Sequence, residues 1–132
     1  MAERPNQTRV RQAIEAFNQG QPAGFMELLG DDVVWRVPGS APGAGTYHGK
    51  AGVAEFIGHL RQASEAPLQI EPLHLLSGGD DLVVAVWKAR AARKGWLYEG
   101  IAGYLFRFCD GKVIEATNLQ QDQDEIDRFW AA

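Results

Sequence analysis

Residues 82–120 read LVVAVWKARAARKGWLYEGIAGYLFRFCDGKVIEATNLQ, and their pattern decides the fold class. Polar and apolar residues alternate with a period near two, and Val, Ile, Leu and aromatics dominate. Two breaks carry the chemistry of tight hairpin turns, Lys94-Gly95 and Asp110-Gly111. The stretch predicts strands at 82–93, 96–108 and 112–121. Just upstream the same period runs through 68–77, and Gly78-Gly79-Asp80-Asp81 offers the turn between. Four consecutive strands with short joints predict an antiparallel meander.

The first half of the chain changes period. Val10, Ala13, Ile14 and Phe17 recur at three- and four-residue spacing, which puts them on one helix face, and Gly20 offers a stop. Pro22 suits a first helical turn, so Phe25, Met26, Leu28 and Leu29 predict a short second helix ended by Gly30. Val33–Val37 reads as a first strand. Residues 38–49, PGSAPGAGTYHG, read as loop, and Val53, Phe56, Ile57 and Leu60 mark a third helix. A last helix is expected at 123–130. Helices followed by a curled antiparallel sheet give an α+β class, in one domain over 1–132.

The strands also show which faces are buried. Trp87, Ala89 and Ala91 alternate with Lys88 and Arg90 and should face the helices, yet Leu82, Val84 and Val86 on the opposite side are apolar too. Tyr98, Tyr104, Phe106 and Phe108 share one face of the next strand, with Ile101 and Leu105 on the other. Three amphipathic helices cover one face of a sheet. A second copy of the chain covers the other most simply, so a homodimer through the outer face of the sheet is expected.

Composition excludes several classes of function. Thirteen Lys and Arg against seventeen Asp and Glu leave a net charge of −4, with no basic run to hold a phosphate backbone, so no nucleic acid partner is expected. No apolar run approaches the ~18 residues of a membrane helix, and the start of the chain has no apolar leader. Cys109 is the only cysteine, which fits a reducing, cytoplasmic setting. No His/Cys/Asp/Glu set has metal-ligand spacing, Gly43-Ala-Gly45 lacks the pattern of a phosphate loop, and no cofactor is expected.

The order of elements, together with W-R-V-P-G…G-T-Y-H-G-K at 35–50 and F-R-F-C-D-G-K-V-I-E at 106–115, resembles the nuclear transport factor 2-like superfamily. Within it the chain is most similar to SnoaL-like polyketide cyclases and ketosteroid isomerase-like proteins, and the likeness spans nearly the whole sequence. It implies a cone-shaped cystatin-like roll with an apolar pocket between sheet and helices, open at one end. It does not select a reaction, because this fold hosts isomerases, cyclases, dehydratases and binding proteins.

Carried over residue by residue, the ketosteroid isomerase roles are incomplete. The carboxylate base falls on Arg36 or Val37, the first-helix tyrosine on Ala13, and one donor position on Tyr104. The acid/base aspartate of SnoaL-like cyclases falls on Asn118 or, with a slip of register, on Asp122. Asp122-Gln-Asp-Glu125 also has the spacing of a capping box, with Asp122 as N-cap of the last helix. His74, between Leu73 and Leu75, is the best placed of the histidines for internal acid–base work, with a satisfied structural histidine as its alternative. His48 falls in a loop, His59 reads as solvated on the third helix, and Cys109 has no evident base beside it.

Strand parity places Trp87 and Phe106 in the pocket, and the resemblance implies that Ile114, Ala116, Asn118 and Gln120, rather than Glu115, Thr117, Leu119 and Gln121, face inward on the last strand. Two buried amides in a row need partners, from backbone, water or ligand. Arg36 stays open. With Trp35 inward it is a surface or interface arginine, the account that buries the tryptophan. With Arg36 inward it would hold an anionic ligand together with Tyr104, Asn118 and Gln120. Two functions are therefore expected in competition. One is binding of a small hydrophobic carbonyl or hydroxylated molecule, with an isomerase-, cyclase- or dehydratase-type step by His74, Tyr104 and Asp122 and a site lined by Trp35, Arg36, Trp87, Phe106, Asn118 and Gln120. The other is a non-catalytic carrier or dimeric accessory module.

Overall fold

The computed structural model describes residues 4–66 and 68–131. In chain order the elements are α1 (Pro5–Asn18), α2 (Pro22–Met26), β1 (Leu29–Val37), β2 (Gly45–His48), α3 (Gly49–Ala63), β3 (Gln69–Ser77), β4 (Leu82–Arg93), β5 (Trp96–Cys109), β6 (Lys112–Gln120) and α4 (Gln123–Ala131). The six strands form one curled, unclosed sheet in the order β2-β1-β6-β5-β4-β3. β3 to β6 make the expected antiparallel meander, turning at Lys94-Gly95 and Asp110-Gly111. All four turn residues have positive φ, between 50° and 77°, the conformation that lets a two-residue turn follow the twist of its strands.

Two expectations need correction. α2 ends at Met26, and Leu29 and Gly30 already belong to β1, so Gly30 is a strand residue rather than a helix stop. The loop over 38–49 contains β2, which pairs with β1 before α3 begins. The sequence offered no expectation for the partner of β1, which joins the meander in parallel, alongside β6.

α1 packs on β3 and β4, α3 on β1 and β2, and α4 on β5. Between helices and sheet lies one core, with Val10 and Ile14 from α1, Val53 and Phe56 from α3, and Trp35, Val83, Phe106 and Val113 from the strands. Trp35 is 2% exposed at its centre, and rings stand around it on three sides: Phe25, Phe56 and Tyr104. α4 seats Ile126 and Phe129 on Ala91 and Tyr98 as a smaller second cluster.

Two bulges reset the parity of β3, at the edge of the sheet, and of β6, in its interior. In β3, Pro72 pairs with Trp87 and His74 with Val86, so Leu73 is an extra residue. In β6, Glu115 pairs with Arg107 and Val113 with Phe108, so Ile114 is extra. A bulge turns every residue beyond it to the opposite face. Ile114 is therefore 37% exposed, while Val113, Ala116 and Asn118 are buried.

Candidate functional site

Between the concave face of the sheet and the helices lies a cavity of about 350 Å³. α1 supplies Val10, Ala13, Ile14 and Phe17 to its wall, and α3 supplies Phe56, Ile57 and Leu60. The strands contribute Trp35, Trp87, Tyr104, Phe106, Asn118 and Gln120. Loop 38–44 and α4 form the mouth. Most of this surface is aromatic or aliphatic; Gln62, Arg93 and Tyr98 border it, and two further groups of polar side chains are each joined by hydrogen bonds.

The first is the floor. Tyr104 is 7% exposed, and its ring lies 4.7 Å from Trp35 and 5.6 Å from both Trp87 and Phe106. Trp35 Nε1 donates to the Tyr104 hydroxyl oxygen at 3.2 Å. Asn118, on β6, pairs with Tyr104 of β5 in register. Burial pushes the Tyr104 pKa far above the usual tyrosine range, and the polar side chains of Trp35 and Asn118 beside it offset only part of that. Tyr104 is thus a neutral phenol at any physiological pH. Asn118 Nδ2 also donates to Gly103 O at 3.3 Å, and Gln120 Nε2 donates to Asn118 Oδ1 at 3.0 Å. Gln120 Oε1 is buried and has no partner among the described residues.

The second is the mouth. Asp127, on α4, accepts from Ser40 N at 3.2 Å, Ser40 Oγ at 3.3 Å and Gln123 Nε2 at 3.0 Å. Gln123 Nε2 also reaches Pro38 O at 3.3 Å, and Tyr47 donates to Gly43 O at 2.6 Å from the other side of the loop. Gly39 and Gly43 both have positive φ, at 113° and 92°. A β-carbon at Gly39 would run into the Asp127 carboxylate, and one at Gly43 would fall 2.8 Å from the His59 ring. Close approach to α3 and α4 therefore requires glycine at both ends of the loop.

The structure gathers part of the expected set. Trp35, Trp87, Tyr104, Phe106, Asn118 and Gln120 all line the cavity. Arg36 does not: it points outward, and its guanidinium lies 3.5 Å from Glu115 on the outer face. Trp35 takes the inward position next to it, as strand alternation requires once the larger apolar side chain is buried. His74 is also outside, exposed opposite Val86, because the bulge at Leu73 reverses the parity that would have turned it inward. Asp122 is exposed and caps α4: its Oδ1 accepts from Glu125 N at 3.0 Å and its carbonyl from Ile126 N at 3.2 Å.

Asp127 and His59 are site residues that the sequence reading missed, since both lie on helices that otherwise read as amphipathic with solvated polar flanks. The one available signal is the Gln123–Asp127 spacing of four, which stacks an amide on a carboxylate along a single α4 face. Among the described residues no group of three or more His, Cys, Asp or Glu side chains is placed to hold a metal ion, and no helix is long and apolar enough to cross a membrane.

Comparison with known proteins agrees with this architecture. Residues 10–116 match the SnoaL-like domain. The uncharacterized protein Rv0034 of Mycobacterium tuberculosis is 27% identical over 122 residues, which are 92% of this chain and 93% of that protein. Bal32a, from a soil-derived mobile gene cassette, superposes with a TM-score of 0.90 at 26% identity, over 96% of each chain. TerC, crystallised with polyporic acid, superposes with a TM-score of 0.86 at 20% identity, over 97% of this chain and 99% of its own.

Proposed function

We propose, from the premise that this chain belongs to the SnoaL-like domain family, that its cavity binds a small, mainly hydrophobic molecule carrying a carbonyl or hydroxyl group. One observation carries the reading. An apolar cavity of about 350 Å³ meets a single polar cluster, Tyr104–Asn118–Gln120, at its floor. Cavities of this size suit molecules of two or three fused rings, and a few placed polar groups fix their orientation. TerC, which shares this fold, was co-crystallised with polyporic acid, and that supports a small-molecule role.

Titration with 2-acetylnaphthalene and 2-naphthol, followed through tryptophan fluorescence, tests the proposal. Trp35 and Trp87 both line the cavity, so saturable quenching by one equivalent is expected. Quenching that stays linear in ligand concentration would overturn it.

A catalytic reading rests on a separate observation, the Asp127 carboxylate and His59 imidazole at the mouth. They would move a proton at the outer end of a bound ligand, in an isomerase-, cyclase- or dehydratase-type step, while Tyr104 held the inner oxygen. The floor itself offers no base, since Tyr104 is neutral and its neighbours are amides. Binding without turnover is therefore the better-supported function. Solvent-deuterium exchange into a bound 2-acetylnaphthalene methyl group, lost in Asp127→Asn, would favour the catalytic reading.

The outer face of the sheet completes the proposal with a second copy of the chain. Leu76, Val84, Val86, Ile101, Leu105 and Leu119 lie there, with Leu76 56% and Leu119 42% exposed. At one end stand Glu71, Lys88, Arg90 and Glu99, at the other Arg36, Arg107 and Glu115. Each end holds both signs, so a two-fold-related copy meets complementary charge around an apolar centre. Sedimentation equilibrium should give twice the chain mass, and Val86→Arg the single mass. A monomeric wild type would overturn it.

A further inference from the structure

We infer that the cavity takes its hydrophobic ligand as a carboxylate, held by Arg93 where the end of β4 meets the end of α3. The inference rests on the binding proposed above and adds the charge of the ligand.

The position follows from strand alternation. Trp87, Ala89 and Ala91 face the helices, and β4 pairs with β5 in unbroken register to its end, so Arg93 keeps the inward parity. It is half-buried and lines the cavity, and among the described residues no other lysine or arginine does. Lys88 and Arg90, on the opposite face of the same strand, stand beside Glu71 and Glu99. Arg93 Nη1 reaches across to the last residue of α3 and donates to Ala63 O at 3.1 Å. That contact covers a carbonyl at the helix end, fixes the guanidinium in place and leaves its charge whole.

Two carboxylates belong to the same end of the molecule, and each has donors of its own. Asp127 accepts from Ser40 and Gln123 on the α4 side, and Glu65 Oε2 accepts from Gly95 N at 3.4 Å in the β4–β5 turn. A cation set in a mainly apolar wall is less screened than one on the surface, so an anion docked against it gains more. The planar guanidinium is also the side chain best matched to a carboxylate. Gln62, next to Ala63 on α3, lines the same wall and offers an amide beside it. The floor then sorts ligands by shape, and this wall sorts them by charge.

Two probes of one shape test the inference on the wild-type protein. 2-Naphthoic acid is an anion at neutral pH, and 2-naphthamide is its neutral counterpart. Equilibrium dialysis at low salt should show 2-naphthoate binding on the order of tenfold more tightly than 2-naphthamide. Added sodium chloride should shrink that ratio without weakening 2-naphthamide. Arg93→Gln should bring the two probes to equal affinity with 2-naphthamide nearly unchanged, and Arg93→Lys, which keeps the charge, should retain part of the preference. A merely structural role for Arg93 at the end of α3 would weaken both probes alike in Arg93→Gln, and that result would overturn the assignment. Equal binding of the two probes to the wild type would overturn it as well, and so would a preference that survives in Arg93→Gln, although the cavity would stand as a binding site in each case. Failure of 2-naphthoate, 2-naphthamide and 2-acetylnaphthalene alike to bind would overturn the binding reading and this inference with it.

Discussion

The inner and outer ends of the cavity are built on opposite principles. At the floor, Trp35, Tyr104 and Phe106 are each buried to 7% exposure or less and project from β1 and β5, on either side of β6, into one aromatic cluster. At the mouth, residues 38–44 have no strand partners, and their main fastening to α4 is one half-buried carboxylate that gathers three hydrogen bonds. A side chain in the cluster cannot shift without opening a void in the core. The loop can move by breaking exposed polar contacts, each worth little. On the proposed binding role, the floor would set selectivity and the mouth access.

The largest effect expected on that contrast is at Trp35. Trp35→Ala removes the ring around which Phe25, Phe56 and Tyr104 pack, and should lower the unfolding free energy by about 3–5 kcal/mol in urea titration. A loss below about 1 kcal/mol would show that the floor is not rigid. Gly103→Ala comes next, at about 1–3 kcal/mol, because a β-carbon there would collide with the Ala85 carbonyl, which the β4–β5 ladder holds in place.

Alkaline pH gives a third effect, confined to the floor. The folded state keeps Tyr104 protonated above the pH at which an unfolded chain ionises it, so the folded protein binds the extra proton. Stability is fully present below about pH 10 and falls as pH rises beyond it. Melting temperature against pH should therefore drop less steeply above pH 10 in Tyr104→Phe than in the wild type, and parallel curves would contradict the burial of that hydroxyl. Tyr98 and Tyr47 are raised too, by burial first and nearby carboxylates second, and contribute equally to both curves.

The smallest effect on stability is expected at the mouth. Asp127→Asn should cost about 1 kcal/mol, and Ser40→Ala a few tenths. In stopped-flow mixing with 2-acetylnaphthalene, both variants should bind and release the probe faster, with little change in Kd. A changed Kd at constant rates would place selectivity at the mouth and break the comparison.

Most of the fold was legible because the signals were local. The β4–β5 and β5–β6 turns carry their chemistry in two residues each, and the helical faces of α1 and α3 repeat within single turns. The cavity lining on β4 and β5 followed from unbroken alternation. Reading failed where one extra residue interrupts that alternation. The bulge at Leu73 moved His74 outward, and the bulge at Ile114 exposed a residue assigned to the interior. A bulge is decided by the partner strand, so its own strand does not announce it. The mouth was hard to read for a related reason: Asp127 meets Ser40 from 87 positions away, and the Gln123–Asp127 spacing does not name that partner. Asp122 was legible as a cap, and the capping reading is the one that its hydrogen bonds bear out.

The parallel pairing of β1 with β6 has a consequence in time as well as space. β1 sits between β2 and β6 and pairs with no strand of the 69–109 meander, so the edge it does not share with β2 finds its partner only in the last strand of the sheet. Leu29 and Val113 must meet across more than half the sequence before Trp35 finds Tyr104. Contacts of such long range close slowly. During synthesis one edge of β1 therefore stays unpaired until residues 112–120 have left the ribosome. The β6 side of the pocket floor, with Asn118 and Gln120, is added only then.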